Sequence, residues 1–305
     1  MHVITRGTHK STIEQQHSKN GECSNVHFHY VDIPWLQNIL KRVNRRNHIY
    51  YYFWQLQAML AAKKLNLKHS YDLVHHVTWV SFRQPSFMWL LGIPMIFGPV
   101  AGGDSIPQGY VKHFSFKQRV IEHTRTLMNM LVRFDPLMRL TFKHAYKVIF
   151  TSEAHIPLVP SYAQEKSQVE LAIGVSNQNV ADLQPTASKK VFSSKLLFAG
   201  RCIGWKGMDI GLRAFAKVHA LKPEATLTVI GDGADKARWV SLAKELDLPV
   251  EWLGWVPKDQ VLASYPDYDL LFYPSLRDSG GFVVLEALEK GLPVASFKLG
   301  GPGVV

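Results

Sequence analysis

A doubly wound α/β architecture in two units, with parallel sheets facing a central cleft, is predicted for this chain by three observations. Short apolar runs alternate with helix-length stretches along residues 195–296, the βα repeat that builds a parallel sheet covered by helices on both faces. A looser alternation, interrupted by long helical inserts, fills the first half. Between them, 174–194 (GVSNQNVADLQPTASKKVFSS) is rich in Ser, Asn, Gln and Ala and reads as a connection. The chain of 305 residues is long enough for two cores of ordinary size. The division is 1–175, an intervening 176–194, and 195–305, each outer part a Rossmann-like unit.

In chain order, the apolar runs at 2–5, 26–31, 73–76, 95–98 and 147–150 read as strands of the first unit. Between them Ile49, Phe53, Leu56 and Leu60 recur at helical spacing, as do Val120, Leu127 and Leu131 in a second helical region over 114–145, broken at Asp135-Pro136. The most apolar segment, 85–101, is interrupted by Gly92, Pro94, Gly98 and Pro99 and is shorter than the ~20 residues a membrane-spanning helix needs; it reads as a helix followed by a buried strand. The second unit is cleaner: strands at 196–199, 226–230, 250–253, 270–273 and 293–296, with helices at 208–220, 235–246, 259–265 and 281–290. A Rossmann unit ordinarily opens on a strand, a Gly-rich turn and a helix over about 30 residues. This chain begins on what reads as a later strand and stops after the Gly-rich GGPGVV, so it is expected to be a fragment truncated at both ends.

Charge divides the halves more sharply than hydrophobicity does. Residues 1–150 hold 19 Lys+Arg against 7 Asp+Glu, net +12, whereas 151–305 hold 16 against 17, net −1. A basic first half fits an anionic partner such as a lipid surface or a lipid diphosphate. Nucleic acid is disfavoured because no recognised binding module accompanies the charge. KRVNRR at 41–46 leads into the aromatic IYYYFWQLQAML, a pattern equally compatible with an interfacial membrane anchor and with a core helix. The two cysteines, Cys23 and Cys202, are far apart and form no C-x-x-C pair, so neither a disulfide framework nor a zinc site is indicated, and a reducing compartment follows. Residues 2–17 are polar and carry no secretory apolar stretch.

Two loops carry the chemistry. GRCIGWKG (200–207) follows the strand at 196–199, and DSGGFVVLEAL (278–288) follows the strand at 270–273. Both would open on the carboxyl edge of one parallel sheet, where open α/β sheets bind ligands. Arg201 and Lys206 place a planar guanidinium and a point-charge ammonium on one loop, a pairing suited to a diphosphate, with Gly200, Gly204 and Gly207 permitting close approach. Gly280, Gly281, Phe282 and Val283 open a helix whose free N–H groups attract anions. Glu286 sits inside an apolar run, where a carboxylate is costly without a partner; a ribose hydroxyl or a nearby lysine would serve.

GRCIGWKG, VIGDGADKARWVSLAKEL, EWLGWVPKDQV and DSGGFVVLEALEKGLPVASFKLGG, in this order and spacing, resemble the nucleotide-sugar domain of glycosyltransferase family 4, the retaining "group 1" enzymes of GT-B fold. DLVHHVTW (72–79) and IPMIFGPVAGGD (93–104) are looser matches to acceptor-domain segments. The resemblance implies that Arg201 and Lys206 hold the donor diphosphate, that Asp278 contacts the transferred sugar, that Glu286 contacts the nucleotide ribose, and that backbone groups from Gly280 to Val283 face phosphates and sugar. It implies a metal-independent, cofactor-free transfer with retention from a nucleoside diphosphate sugar to a polysaccharide or lipid-linked acceptor, at the inner face of the cytoplasmic membrane.

Departures from the pattern matter. The acidic motif has Asp278 where the family usually has Glu, one methylene shorter. Many members carry a His after the strand matching 95–97, whereas this chain has Gly98-Pro99-Val100-Ala101-Gly102-Gly103. Acceptor-side candidates are therefore His75, His76, Gly102, Gly103 and Asp104, each with a structural role as its alternative. Two other functions stay open: a nucleotide-sugar binding protein or scaffold without turnover, and a GT-B nucleotide-sugar epimerase.

Overall fold

The computed structural model describes residues 1–20, 25–40, 46–77, 81–112, 114, 116–172 and 194–305. Strands β1 (His2–Thr5) and β2 (His27–Tyr30) pair in parallel, and β3 (Val74–His76), β4 (Met95–Val100), β5 (Lys147–Phe150) and β6 (Ser167–Val169) form a four-stranded parallel sheet in chain order. Strands β7 (Lys195–Ala199), β8 (Thr226–Ile230), β9 (Val250–Gly254), β10 (Leu270–Tyr273) and β11 (Val294–Ser296) form a second parallel sheet in the order β11-β10-β7-β8-β9. The expected connection at 174–193 and the basic run at 41–45 lie outside the described residues.

The second sheet reverses direction at β7. The chain steps outward through β8 and β9, then crosses back so that β10 pairs with the other side of β7. Loops after β7 and β10 therefore leave their strands toward opposite helical layers and open a crevice between them, the topological switch point of a doubly wound sheet. A core of fully buried Leu197, Phe198, Leu212, Phe215, Trp239 and Leu271 fixes the strands against their helices. Arg238 and the indole N–H of Trp239 both bond Asp209, tying the Lys236–Glu245 helix to the Met208–Leu221 helix.

In the first unit, Phe82, Met95, Phe97, Phe142 and Phe150 form the core of the β3–β6 sheet. The β1–β2 pair rests on a separate cluster of Ile33, Leu36, Tyr50, Tyr51, Trp54 and Ala58. A cavity of about 600 Å³ lies between the two sheets, lined by β1 and β3 residues with Trp54, Met88 and Ile93. Thus the aromatic stretch after residue 49 is core on its Tyr50, Tyr51, Trp54 and Ala58 face, and the repeat Ile49, Phe53, Leu60 lies on the exposed one.

Four further differences from the sequence reading have local causes. The helix expected after residue 85 shrinks to a 3-10 turn, Met88–Leu91, because Gly92 ends it in the left-handed conformation (φ 72°). Strand β6 is short, polar and at the sheet edge, so no apolar run announces it. The Lys10–Asn20 helix carries no apolar stripe. The break at Asp135-Pro136 is a helix start: the Asp135 carboxylate accepts from Leu137 N (2.8 Å) and Met138 N (2.9 Å) and Pro136 occupies the first turn.

The Phe116–Leu131 helix is turned inside out. Phe116, Val120, Leu127, Met130 and Leu131 are exposed, as is Phe134 just beyond its end, and their spacing puts them on one stripe. Its inward side carries the polar Glu122 and Asn129, both buried. Helical periodicity alone locates such a stripe without saying which way it faces.

Gly207 is the joint between the two loops. Its φ is 72°, and a Cβ there would lie 1.9 Å from the Pro274 carbonyl oxygen at the end of β10. Replacement by alanine requires both a left-handed non-glycine residue and a shift of the β10 loop. Gly207→Ala is expected to lower the unfolding free energy by about 2 kcal/mol, read by chemical denaturation; a change below about 0.5 kcal/mol, within the range of ordinary surface substitutions, would contradict this packing.

Candidate functional site

Lys206 and Asp278 meet across the β7–β10 crevice. Lys206 Nζ lies 2.8 Å from Asp278 Oδ2 and also donates to the Tyr273 hydroxyl, which itself donates to the same carboxylate oxygen at 2.5 Å. The ammonium sits 4.8 Å from the centroid of the Tyr273 ring. The other carboxylate oxygen, Asp278 Oδ1, accepts from the backbone N–H groups of Gly280 (3.1 Å) and Gly281 (3.3 Å). Asp278 thus holds the lysine and shapes the Gly-rich turn at once.

Burial sets the electrostatics of this group. It lowers the Lys206 ammonium from its ordinary value, with Arg201 and Arg277 adding to the effect and Asp278 opposing it. At Asp278 burial pushes upward, but Lys206, the Tyr273 hydroxyl and the Gly280 N–H together hold the carboxyl below its ordinary value. The Tyr273 phenol is raised, by burial first and then by Asp278. Near neutrality Asp278 is therefore a carboxylate and Tyr273 a neutral phenol. Arg201 is exposed on the same loop.

Gly281, with φ 62°, caps the Phe282–Glu289 helix, whose first residue Phe282 is exposed and whose Val283 is half-buried. Glu286 Oε1 pairs with Lys258 Nζ at 2.7 Å. The partner that an apolar context demanded is thus a lysine from the Lys258–Ser264 helix.

On the facing unit, Gly102, Gly103 and Asp104 follow β4. Asp104 is buried; its Oδ1 accepts from Ser152 Oγ (2.6 Å) and its Oδ2 from Ser279 Oγ (3.3 Å), a bond between the two units. Gly103 N donates to His155 Nε2 at 2.9 Å, so that nitrogen carries no hydrogen, and Nδ1 faces the Ser152 carbonyl at 3.1 Å. Burial lowers the His155 pKa against the pull of Asp104, in keeping with this neutral tautomer. The 3.8 Å approach of His155 to Asp104 is accordingly not an ion pair.

His75 and His76 have other engagements. His75 Nε2 donates to the Gly98 carbonyl (2.7 Å); His76 bonds Ser86 Oγ (2.6 Å) and the Tyr51 hydroxyl (2.9 Å). Both line the cavity between β1 and β3. The structure therefore joins Asp104, which follows Gly102 and Gly103 in the chain, to Ser279 of the Asp278 loop and leaves the two histidines bound within their own unit.

Contacts between the units include residues that the motifs do not mark. Arg277 forms a buried ion pair with Glu122 and lies 4.8 Å from the Trp205 ring centroid. Gln118 Nε2 donates to Asp235 Oδ2 (2.9 Å), and Ile106, Phe114 and Leu276 form an apolar cluster bordered by Trp205 and Phe297. Tyr273, Arg277 and Glu122 were missed from sequence; Tyr273 and Arg277 could have been sought beside the acidic motif, whereas Glu122 lies in a helix with no motif at all. Among the described residues, no group of three or more His, Cys, Asp or Glu side chains is arranged to hold a metal ion.

Comparison with known proteins places this geometry. Residues 185–305 match the family model described as glycosyl transferases group 1. An uncharacterized glycosyltransferase of Haemophilus influenzae is 27% identical over 142 residues, 46% of this chain and 39% of that protein. A D-inositol 3-phosphate glycosyltransferase of Rhodococcus jostii is 26% identical over 263 residues, 77% of this chain and 53% of its own length. The chain thus spans about half or less of the length of these curated relatives. HepE of Anabaena, solved in complex with UDP, superposes over 99% of this chain and 74% of its own with a TM-score of 0.52 at 18% identity, a likeness of fold. Residues 185–305 thus match the group 1 glycosyl transferases, and the two parallel-sheet units together have the GT-B fold.

Proposed function

We propose that this protein transfers a sugar, with retention of configuration, from a nucleoside diphosphate donor to a glycan or lipid-linked acceptor held by the basic unit. The observation that carries the reading is the convergence of Arg201, Lys206, Asp278 and a helix N-terminus at the β7–β10 switch point. Support comes from the names of the relatives and from the UDP held by the Anabaena neighbour.

In this reading Arg201 and Lys206 bind the diphosphate and stabilise the charge that develops as the bond from C1 of the sugar to the leaving phosphate oxygen breaks. The acceptor oxygen forms the new bond to C1 from the same face, and its proton passes to the departing phosphate. Asp278 is tied to Lys206 and Tyr273, and Glu286 to Lys258. These engagements favour positioning roles over a covalent nucleophile: Asp278 toward the sugar, Glu286 toward the ribose. No metal or cofactor has a step in the scheme.

Arg201→Ala and Lys206→Ala are each expected to weaken UDP binding about tenfold or more and to lower turnover by about two to three orders of magnitude. Calorimetry and transfer or donor-hydrolysis assays on the folded variants, checked by thermal melting, read both. Unchanged values would defeat the proposal, and tight UDP binding without sugar release under any acceptor would favour a binding protein. Appearance of an epimerised sugar would favour the epimerase.

We further propose a peripheral setting at an anionic membrane, docked through the exposed apolar stripe of the Phe116–Leu131 helix rather than through the aromatic helix after residue 46, whose Tyr50, Tyr51 and Trp54 are core. Arg119, Arg133, Arg139 and Lys143 are exposed along this segment, and Asp135 is its exposed carboxylate among the described residues. An apolar stripe flanked by cations is the pattern of an interfacial helix on anionic lipid. The protein is expected to float with vesicles containing phosphatidylglycerol and much less with pure phosphatidylcholine. Leu127→Glu combined with Met130→Glu, both exposed positions, should abolish flotation; retention of binding by this pair would remove the helix from the account.

A further inference from the structure

A second cationic group lies across the cleft from the donor loop, on the lip formed by Ala101–Gly103. Phe82 N donates to the Ala101 carbonyl at 2.9 Å, which sets the neighbouring Arg83 beside that segment. Arg125 Nη2 donates to the Gly102 carbonyl at 2.6 Å, and Asn129, one turn further along the same helix, donates to the Gly103 carbonyl at 3.2 Å. Arg277 reaches the same place from the donor side, through its pair with Glu122, which precedes Arg125 by less than a turn. Arg125 thus bonds the lip, and Arg83 and Arg277 stand near enough for the three charges to act on one another.

The group carries more positive charge than its surroundings neutralise. Glu122 is paired with Arg277, and Asp104 accepts from Ser152 and Ser279. Among the described residues, neither Arg83 nor Arg125 has an ion pair with a carboxylate, and Arg125 Nε is buried with no hydrogen-bond partner. Burial, then the neighbouring guanidiniums, pushes Arg125 down to about 10 against the opposing pull of Glu122 and Asp104; Arg83 is lowered by burial and by Arg277. Both residues are half-buried rather than sealed. Partly desolvated cations of one sign are costly until an anion joins them.

We propose that Arg83 and Arg125 form an anion site for the acceptor, binding a phosphate or diphosphate ester on the opposite side of the cleft from the donor diphosphate. Guanidinium forks suit this chemistry because they present paired N–H groups to phosphate oxygens. The placement rests on the donor reading given above, which assigns Arg201 and Lys206 to the other diphosphate. It narrows the acceptor from any glycan to one that carries an anionic ester near the reacting hydroxyl.

Calorimetry with inorganic pyrophosphate, in the presence of saturating UDP, tests the site with the donor position occupied. Pyrophosphate is expected to bind the wild type, and R83Q and R125Q are each expected to weaken it about tenfold while UDP affinity stays within about twofold. R201A should weaken UDP and leave pyrophosphate in place. Absence of pyrophosphate binding while UDP still binds, or binding indifferent to R83Q and R125Q, would overturn the anion site and leave the donor reading standing. Failure of UDP alone to bind would instead strike the donor reading. Displacement of pyrophosphate by a short-chain prenyl diphosphate supports a lipid-linked acceptor, displacement by a soluble sugar phosphate supports a soluble one, and displacement by neither removes the acceptor assignment.

Discussion

The return of β10 to the side of β7 is the constraint on which the site depends. Parallel pairing in register, Leu270 with Leu196 and Leu271 with Leu197, brings the ends of these strands together, while their loops depart into separate layers. Everything placed in the crevice follows from that divergence: Arg201 and Lys206 from one loop, Asp278 and the capped helix from the other. Gly207 sets how closely the loops approach, since its missing side chain is what lets the Pro274 carbonyl sit against it. The lysine–carboxylate–phenol group then ties the two loops at their tips. A ligand diphosphate would enter a site whose cation is already aimed and partly stripped of water, which strengthens the attraction over that of a surface lysine.

The same loops also carry the contact between the two units. Ser279, beside Asp278, donates to Asp104, and Arg277, just before it, is paired with Glu122. The loop after β10 thus carries consecutive residues that serve the β7–β10 crevice and the opposite lip in turn. An ion pair buried at such a junction costs more desolvation than an exposed one, and separating it leaves both charges unmatched. The pair therefore favours a defined approach of the units over free swinging about the connection. It also explains why the inward side of the Phe116–Leu131 helix is polar: that side meets the cleft, and the apolar stripe is left for another surface.

Much of the second unit was legible in sequence because each strand there is a compact apolar run bounded by turn residues, and 226–230 and 270–273 fall on strands β8 and β10 without adjustment. Asp278 and Lys206 were legible for the same reason, as loop residues immediately after such runs. Other features were hidden by the physics of the signal. Three-residue β6 is too short and polar to have a period, and the helical spacing of Val120, Leu127 and Leu131 does not say which side faces water. His75 and His76 looked available because sequence cannot show that Gly98, Ser86 and Tyr51 take up their nitrogens. Glu122 and Arg277 are 155 positions apart, a separation at which no local pattern operates.

In the proposed reading one diphosphate lies between Arg201 and Lys206 over the N-terminus of the Phe282–Glu289 helix. A crystal structure of the protein with UDP is the decisive measurement. Phosphate oxygens are expected within hydrogen-bond distance of both side chains, about 3 Å, with the ribose beside Glu286. A uridine diphosphate bound elsewhere, or one whose phosphates avoid both Arg201 and Lys206, would contradict it.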